Sequence, residues 1–108
     1  GIRGLACSPD GKRIALVGLT SLHIIEPGTG KTLLRQDGRG FGVAFDPSSR
    51  RMVFSQEKAL VVWDFQAGAP SHRFETDQLG LFDICFLEGG RQFASGGCNG
   101  KVGVWDLS

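Results

Sequence analysis

Three cysteines and two histidines are the side chains of this sequence best suited to catalysis or metal binding: Cys7, Cys85, Cys98, His23 and His72. A zinc site draws its ligands from Cys or His pairs a few residues apart, and no two of these five are so spaced. No metal and no cofactor is therefore expected. The odd cysteine count and the lack of a C-x-x-C pair argue against a disulfide framework and for a reducing compartment, the cytoplasm or the nucleus. Cys7 and Cys85 read as small core residues, and Cys98 falls in a turn. His23 lies in an apolar run, Leu22-His-Ile-Ile25. It reads as a strand histidine, solvated or bonded to backbone, rather than a general base, which would need partners within reach. No G-x-S-x-G nucleophile motif is present. Pro27-Gly-Thr-Gly-Lys-Thr32 ends like a phosphate-binding loop, but the first glycine of that motif would fall on Ile25, and no helix pattern follows the Lys-Thr. A turn between two strands fits better.

The whole chain sets the frame for these residues. It has 108 residues, 12 basic and 11 acidic, for a net charge of +1. Charge alone gives no reason to expect nucleic acid or a membrane surface. No apolar stretch approaches the ~18 residues of a membrane span, and no signal peptide is expected. Apolar residues make up 41 %, too many for a disordered chain. Glycine supplies 17 residues, roughly twice the ordinary ~7 %, which points to many short elements joined by tight turns.

The elements repeat. Segments starting at Cys7, Phe45 and Phe86 align at offsets of 38 and 41 residues. A second column holds Ile25-Glu26, Trp63-Asp64 and Trp105-Asp106, and a third holds Leu5-Ala6, Val43-Ala44 and Ile84-Cys85. A period near 40 signals a repeat architecture. Each repeat reads as short strands a to d: 2–7, 13–17, 21–25 and 31–35; then 40–45, 51–54, 59–65 and 71–75; then 81–86, 92–95 and 102–107. Pro9 and Pro47 fall in turns; Asn99-Gly100 is a hairpin signal. The runs Ile14-Ala-Leu-Val17 and Ala59-Leu-Val-Val-Trp63 do not alternate, so both faces of those strands are expected to be covered.

With Trp63-Asp64, Trp105-Asp106, the Ser-Pro-Asp-Gly turn at 8–11 and the segment Phe93-Ala-Ser-Gly-Gly-Cys-Asn-Gly-Lys-Val-Gly-Val-Trp-Asp106, the chain resembles a WD-repeat (WD-40) β-propeller. The resemblance implies an all-β partial propeller: repeat 1 over 1–38, repeat 2 over 39–78, and repeat 3 over 79–108 without its last strand. It departs from the family pattern where Gly38-Arg-Gly40 and Gln78-Leu-Gly80 replace a Gly-His pair, and where Asn99 replaces an Asp. The Asp–His–Ser–Trp hydrogen-bond network of well-conforming repeats is therefore not expected. About 2.75 four-stranded blades fall short of the 4–8 that close a propeller. Each terminal blade should then expose an apolar face, to be met by further blades or by self-association.

The resemblance also implies a non-catalytic scaffold that binds a protein or peptide through the loops joining d to a and b to c. The candidate rim residues are Arg3, Arg39, Phe41, Glu57, Lys58, Asp77, Phe82 and Asn99, since arginine and aromatic side chains carry interface energy. Phe41 and Phe82 could equally pack between blades. An alternative uses the opposite rim, where Lys12, Arg13, Arg50, Arg51 and Arg91 follow the a–b turns with Lys31 nearby, as an anion or nucleic-acid patch; Asp10, Asp46 and Glu88 offset that charge. A second alternative is a propeller fused to an enzyme such as a kinase. Within the chain, strand a offers only Asp83 as a carboxylate, too little for an active site in the channel.

Overall fold

A computed structural model of the chain describes residues 2–76, 81–97 and 100–107, with the backbone alone at 81 and 82. Three antiparallel sheets hold all eleven expected strands. The first sheet is β1 (Ile2–Cys7), β2 (Ile14–Gly18), β3 (Ser21–Ile25) and β4 (Thr32–Asp37). The second is β5 (Val43–Phe45), β6 (Arg51–Gln56), β7 (Ala59–Asp64) and β8 (Ala69–Glu75). The third, among the described residues, is β9 (Leu81–Phe86), β10 (Gln92–Gly97) and β11 (Val102–Asp106). Each is a meander in sequence order. The sheets stack as blades of a partial propeller, and their first strands touch, β1 against β5 and β5 against β9.

Strand register shows which residues face each neighbour. In the first blade the rows Ala6–Ala15–Ile24–Leu34 and Gly4–Val17–Leu22 turn toward the second. They meet Phe45–Met52–Trp63 and Val43–Phe54–Val61 from its near face. Its far face presents Val53–Val62 and Leu60, which meet Phe86–Phe93–Trp105 and Ile84 of the third blade. All six residues of β7 are buried, as the unbroken apolar run 59–63 requires. Burial of each of Leu60, Val61 and Val62 contributes about 1.5–3 kcal/mol. Close stacking also constrains the backbone: a Cβ on Gly4 would sit 2.8 Å from the carbonyl oxygen of Phe41 in the next blade.

The run Ile14–Val17 behaves differently. Ala15 and Val17 are buried, whereas Ile14 and Leu16 are only half-buried. Their row partners Cys7 and Leu5 share the far face of the first blade, which no described residue covers. The third blade is open on its other side, along Cys85–Ala94–Val104 and Asp83–Gly96–Val102. Cys7 and Cys85 are therefore exposed free thiols, not core residues: both lie on the two outermost faces, where burial would need another blade. Cys98 lies outside the described residues.

Two smaller expectations are also corrected. Strand β5 starts at Val43 rather than 40, because the hydroxyl of Ser55 accepts the amides of Phe41 and Gly42 at 3.0 Å each and takes them out of the ladder. His23 bonds the Ser21 hydroxyl through Nε2 at 2.8 Å, not backbone. The Pro27–Gly30 segment is the expected turn: the Gly30 amide donates to the Glu26 carbonyl at 2.8 Å, and strand β4, not a helix, follows.

Candidate functional site

A short stacked strand leaves two rims, one at each end, about 20 Å apart for six residues at ~3.3 Å each. The first rim holds the d–a connections and the b–c turns. Here the first two blades bring three of the expected residues together. The Arg3 guanidinium lies 5.0 Å from the centroid of the Phe41 ring, and that of Arg39 lies 5.7 Å from it. Arg3 comes from β1 and Arg39 from the connection between β4 and β5, so the cluster spans a blade junction. Gly40 is buried behind it against the Ser55 backbone. Ser55 fixes the Phe41 amide. Phe41 is half-buried and both arginines are exposed. Among the described residues neither arginine is in an ion pair. Phe41 is thus packed at the junction with part of its side chain left exposed.

Glu57 and Lys58, both exposed, form the tight turn between β6 and β7. Glu57 has a φ of 56°, and its amide donates to the Arg39 carbonyl at 3.0 Å. The Lys58 carbonyl accepts the Thr76 amide at 3.0 Å. The Glu57–Arg39 bond couples the turn to the Arg39 segment, and the Thr76–Lys58 bond couples it to the end of β8. Asp77, Asn99 and the side chain of Phe82 lie outside the described residues.

The second rim holds the a–b turns. Each closes the same way: the amides of Gly11, Ser49 and Gly90 donate to the carbonyls of Ser8, Asp46 and Leu87. Ser49 does so at a φ of 65°, where the other two repeats have glycine. Its hydroxyl explains the choice, accepting the Asp10 amide of the first blade at 3.0 Å. Arg13 reaches across the same junction to lie 4.0 Å from the centroid of Phe65. Arg50 contacts Asp64 at 3.4 Å. Arg50, Arg51 and Arg91 together line a cleft of about 300 Å³ between the second and third blades. The five-residue basic column is thus not one continuous patch: Arg13 is drawn onto an aromatic ring, and the three arginines form a separate group.

Two carboxylates of this rim are held ionised. Asp10 accepts the Ser8 hydroxyl at 2.6 Å and the Lys12 amide at 3.0 Å, which together lower its pKa. Burial opposes ionisation of Asp64, but the amides of Ala67 and Gln66 and the Arg50 guanidinium outweigh it, and its pKa falls below 3.8. The third blade supplies one interaction that departs from expectation. The histidine of the four-membered network is missing, yet its Ser–Trp half is made: the Trp105 indole donates to the Ser95 hydroxyl at 2.9 Å. Gly103 makes room for this, since a Cβ there would lie 2.9 Å from the indole nitrogen.

No curated protein matches the chain. A family model described as WD domain, G-beta repeat, matches residues 68–106. The match runs from the outermost strand of the second sheet, β8, through all three strands of the third. The match covers about a third of the chain; the Trp105–Ser95 bond and three stacked meander sheets agree with this similarity to WD repeats.

Proposed function

We propose that the chain is a non-catalytic scaffold that holds a protein or peptide partner at the rim of Arg3, Arg39 and Phe41. WD repeats commonly mediate protein interactions, and the observation that carries the finer reading is the ring of Phe41 flanked by two guanidinium groups. Each cation–ring contact is worth about 0.5–1 kcal/mol at an exposed site, so the arginines are pre-positioned at little further entropic cost. Arginine and aromatic side chains at the centre of a patch are the pattern of an interface hot spot. The partner's contribution at this point is an acidic side chain, which either arginine can take as a two-pronged hydrogen bond. The neighbouring Glu57–Lys58 turn borders the same patch. Exposed free thiols at Cys7 and Cys85 support an intracellular setting, cytoplasm or nucleus, where thiols stay reduced.

Fluorescence anisotropy with the full chain tests this, using a labelled glutamate-rich peptide and its glutamine-rich counterpart. The glutamate peptide should bind and the glutamine peptide should not. Arg3→Glu and Arg39→Glu should each weaken binding about tenfold or more, the loss of one charge-assisted hydrogen bond, with a melting temperature lowered by only a few degrees for the lost cation–ring contact. Undiminished binding by the Arg3→Glu/Arg39→Glu double variant would overturn the assignment.

A further inference from the structure

We infer that the opposite rim carries a discrete oxyanion site between the second and third blades, built from Arg50, Arg51 and Arg91. The two blade junctions are equivalent by repeat but differ in what closes them. At the first, Arg13 lies against the Phe65 ring and the Ser49 hydroxyl takes the Asp10 amide. One repeat on, Arg51 stands in place of Arg13, Leu107 in place of Phe65 and Gly90 in place of Ser49. Backbone bonds fix the equivalence: Arg50 accepts from Phe65 at 2.9 Å as Arg91 accepts from Leu107 at 2.7 Å. Leucine offers no ring face and glycine no hydroxyl. Both ties of the first junction are therefore missing from the second, and the cleft of about 300 Å³ opens where they would be.

Two carboxylates at the cleft, Asp46 in its lining and Asp64 beside Arg50, already accept hydrogen bonds. Asp46 accepts the Ser48 hydroxyl at 2.7 Å and the Arg51 amide at 2.9 Å. Asp64 is held by the Gln66 and Ala67 amides and takes Arg50 only at 3.4 Å. Asp106 accepts the Gln92 side-chain amide at 3.4 Å, and Glu88 is exposed. Among the described residues Arg51 and Arg91 are in no ion pair. Three arginines lining one cleft supply the donor type that matches the planar or tetrahedral oxygens of a carboxylate or phosphate. The volume sits at the small end of ligand pockets and suits a single such group. A nucleic acid would need a track of phosphate contacts, whereas here the cations form one cluster bordered by carboxylates.

NMR titration of the full chain tests the site, following the arginine Nε–H signals and the amides of Gly89 and Gly90. The probes are inorganic phosphate, a phosphoserine peptide, its glutamate counterpart and a single-stranded DNA oligonucleotide. Saturable shifts of Arg51 and Arg91 are expected with phosphate and with the peptides. Tighter binding of a peptide than of phosphate assigns the group to a protein partner; equal binding assigns it to free phosphate. Arg51→Gln and Arg91→Gln should each weaken binding about tenfold. Lys12→Gln, the same charge change at the repeat-equivalent of Arg50 on the first blade, should leave it unchanged. Leu107→Phe keeps every arginine but restores the ring, and should weaken binding by drawing Arg51 onto it. Equal losses in Lys12→Gln and Arg51→Gln, or saturation by DNA alone, would overturn the proposal. This site shares no residue with the Phe41 rim, so either can fail without the other.

Discussion

Ser49 shows how one side chain decides whether two blades are tied at their turns. Its φ of 65° costs about 1 kcal/mol for a residue with a Cβ. Its bond to the Asp10 amide returns a similar amount. Ser49→Gly removes both terms and should change stability by less than about 0.5 kcal/mol. Ser49→Ala keeps the strain and loses the bond, so it should destabilise by about 1 kcal/mol. Urea denaturation of the two variants separates these terms, and equal stability of the two would refute the account. Gly11 and Gly90, at the same turn position, carry no hydroxyl, so the tie exists at one junction only. A reader of the sequence sees Ser49 as an ordinary turn residue. The Asp10 amide it meets is 39 residues away and comes within reach only through stacking.

At the scale of elements, the turn after β7 rests on one carboxylate. Asp64 accepts two amides of that turn and the Arg50 guanidinium, and its pKa in the folded chain lies below 3.8. A carboxylate with a depressed folded pKa contributes stability above the unfolded value and loses it as pH falls through the folded one. Asp64→Asn keeps an acceptor for the amides but removes the charge. The wild-type chain should therefore melt at a higher temperature than Asp64→Asn at pH 7, and the gap should shrink as pH is lowered below 3.8. A gap that stays constant between pH 7 and pH 3 would sink this reading. The strands themselves were legible from the sequence, because turn residues and the Trp-Asp columns punctuate each repeat. What the periodicity could not reveal is which face of a strand has a neighbour. Cys7 and Cys85 carry the apolar signature of core residues, yet their rows look outward. The pairing of Arg13 with Phe65 was equally hidden, since it depends on how one blade's turn overlies the next blade's strand end. Arg3, Phe41 and Arg39 are each among the rim residues that the family resemblance implies, but the arrangement of two cations around one ring belongs to the junction.

Among the described residues one blade is covered on both faces and two are covered on one. Ile2 and Leu5 are 67 % and 63 % exposed on the first blade, and Val102 and Val104 are 74 % and 59 % exposed on the third. The open face of the first blade corresponds by register to the face of the second that holds Phe45, Met52 and Trp63; the open face of the third corresponds to the one that holds Val53 and Val62. These two faces of the second blade are each complementary to the facing side of a neighbour. The open first-blade face is therefore suited to a surface like the open third-blade face, supplied by further blades or by another copy in a head-to-tail contact that closes a ring or runs on as a chain. Exposed apolar area of this kind drives association at about 25 cal/mol per Å² removed from water, less the cost of lost translational freedom. Sedimentation of the 108-residue chain should show a mass that rises with concentration. Val104→Asp, which puts a charge in the middle of one face and leaves the internal junctions untouched, should return it to the monomer with an unchanged circular dichroism spectrum. A wild-type chain that stays monomeric across a hundredfold range of concentration would show that the faces do not pair. Association unaffected by Val104→Asp would place the contact elsewhere.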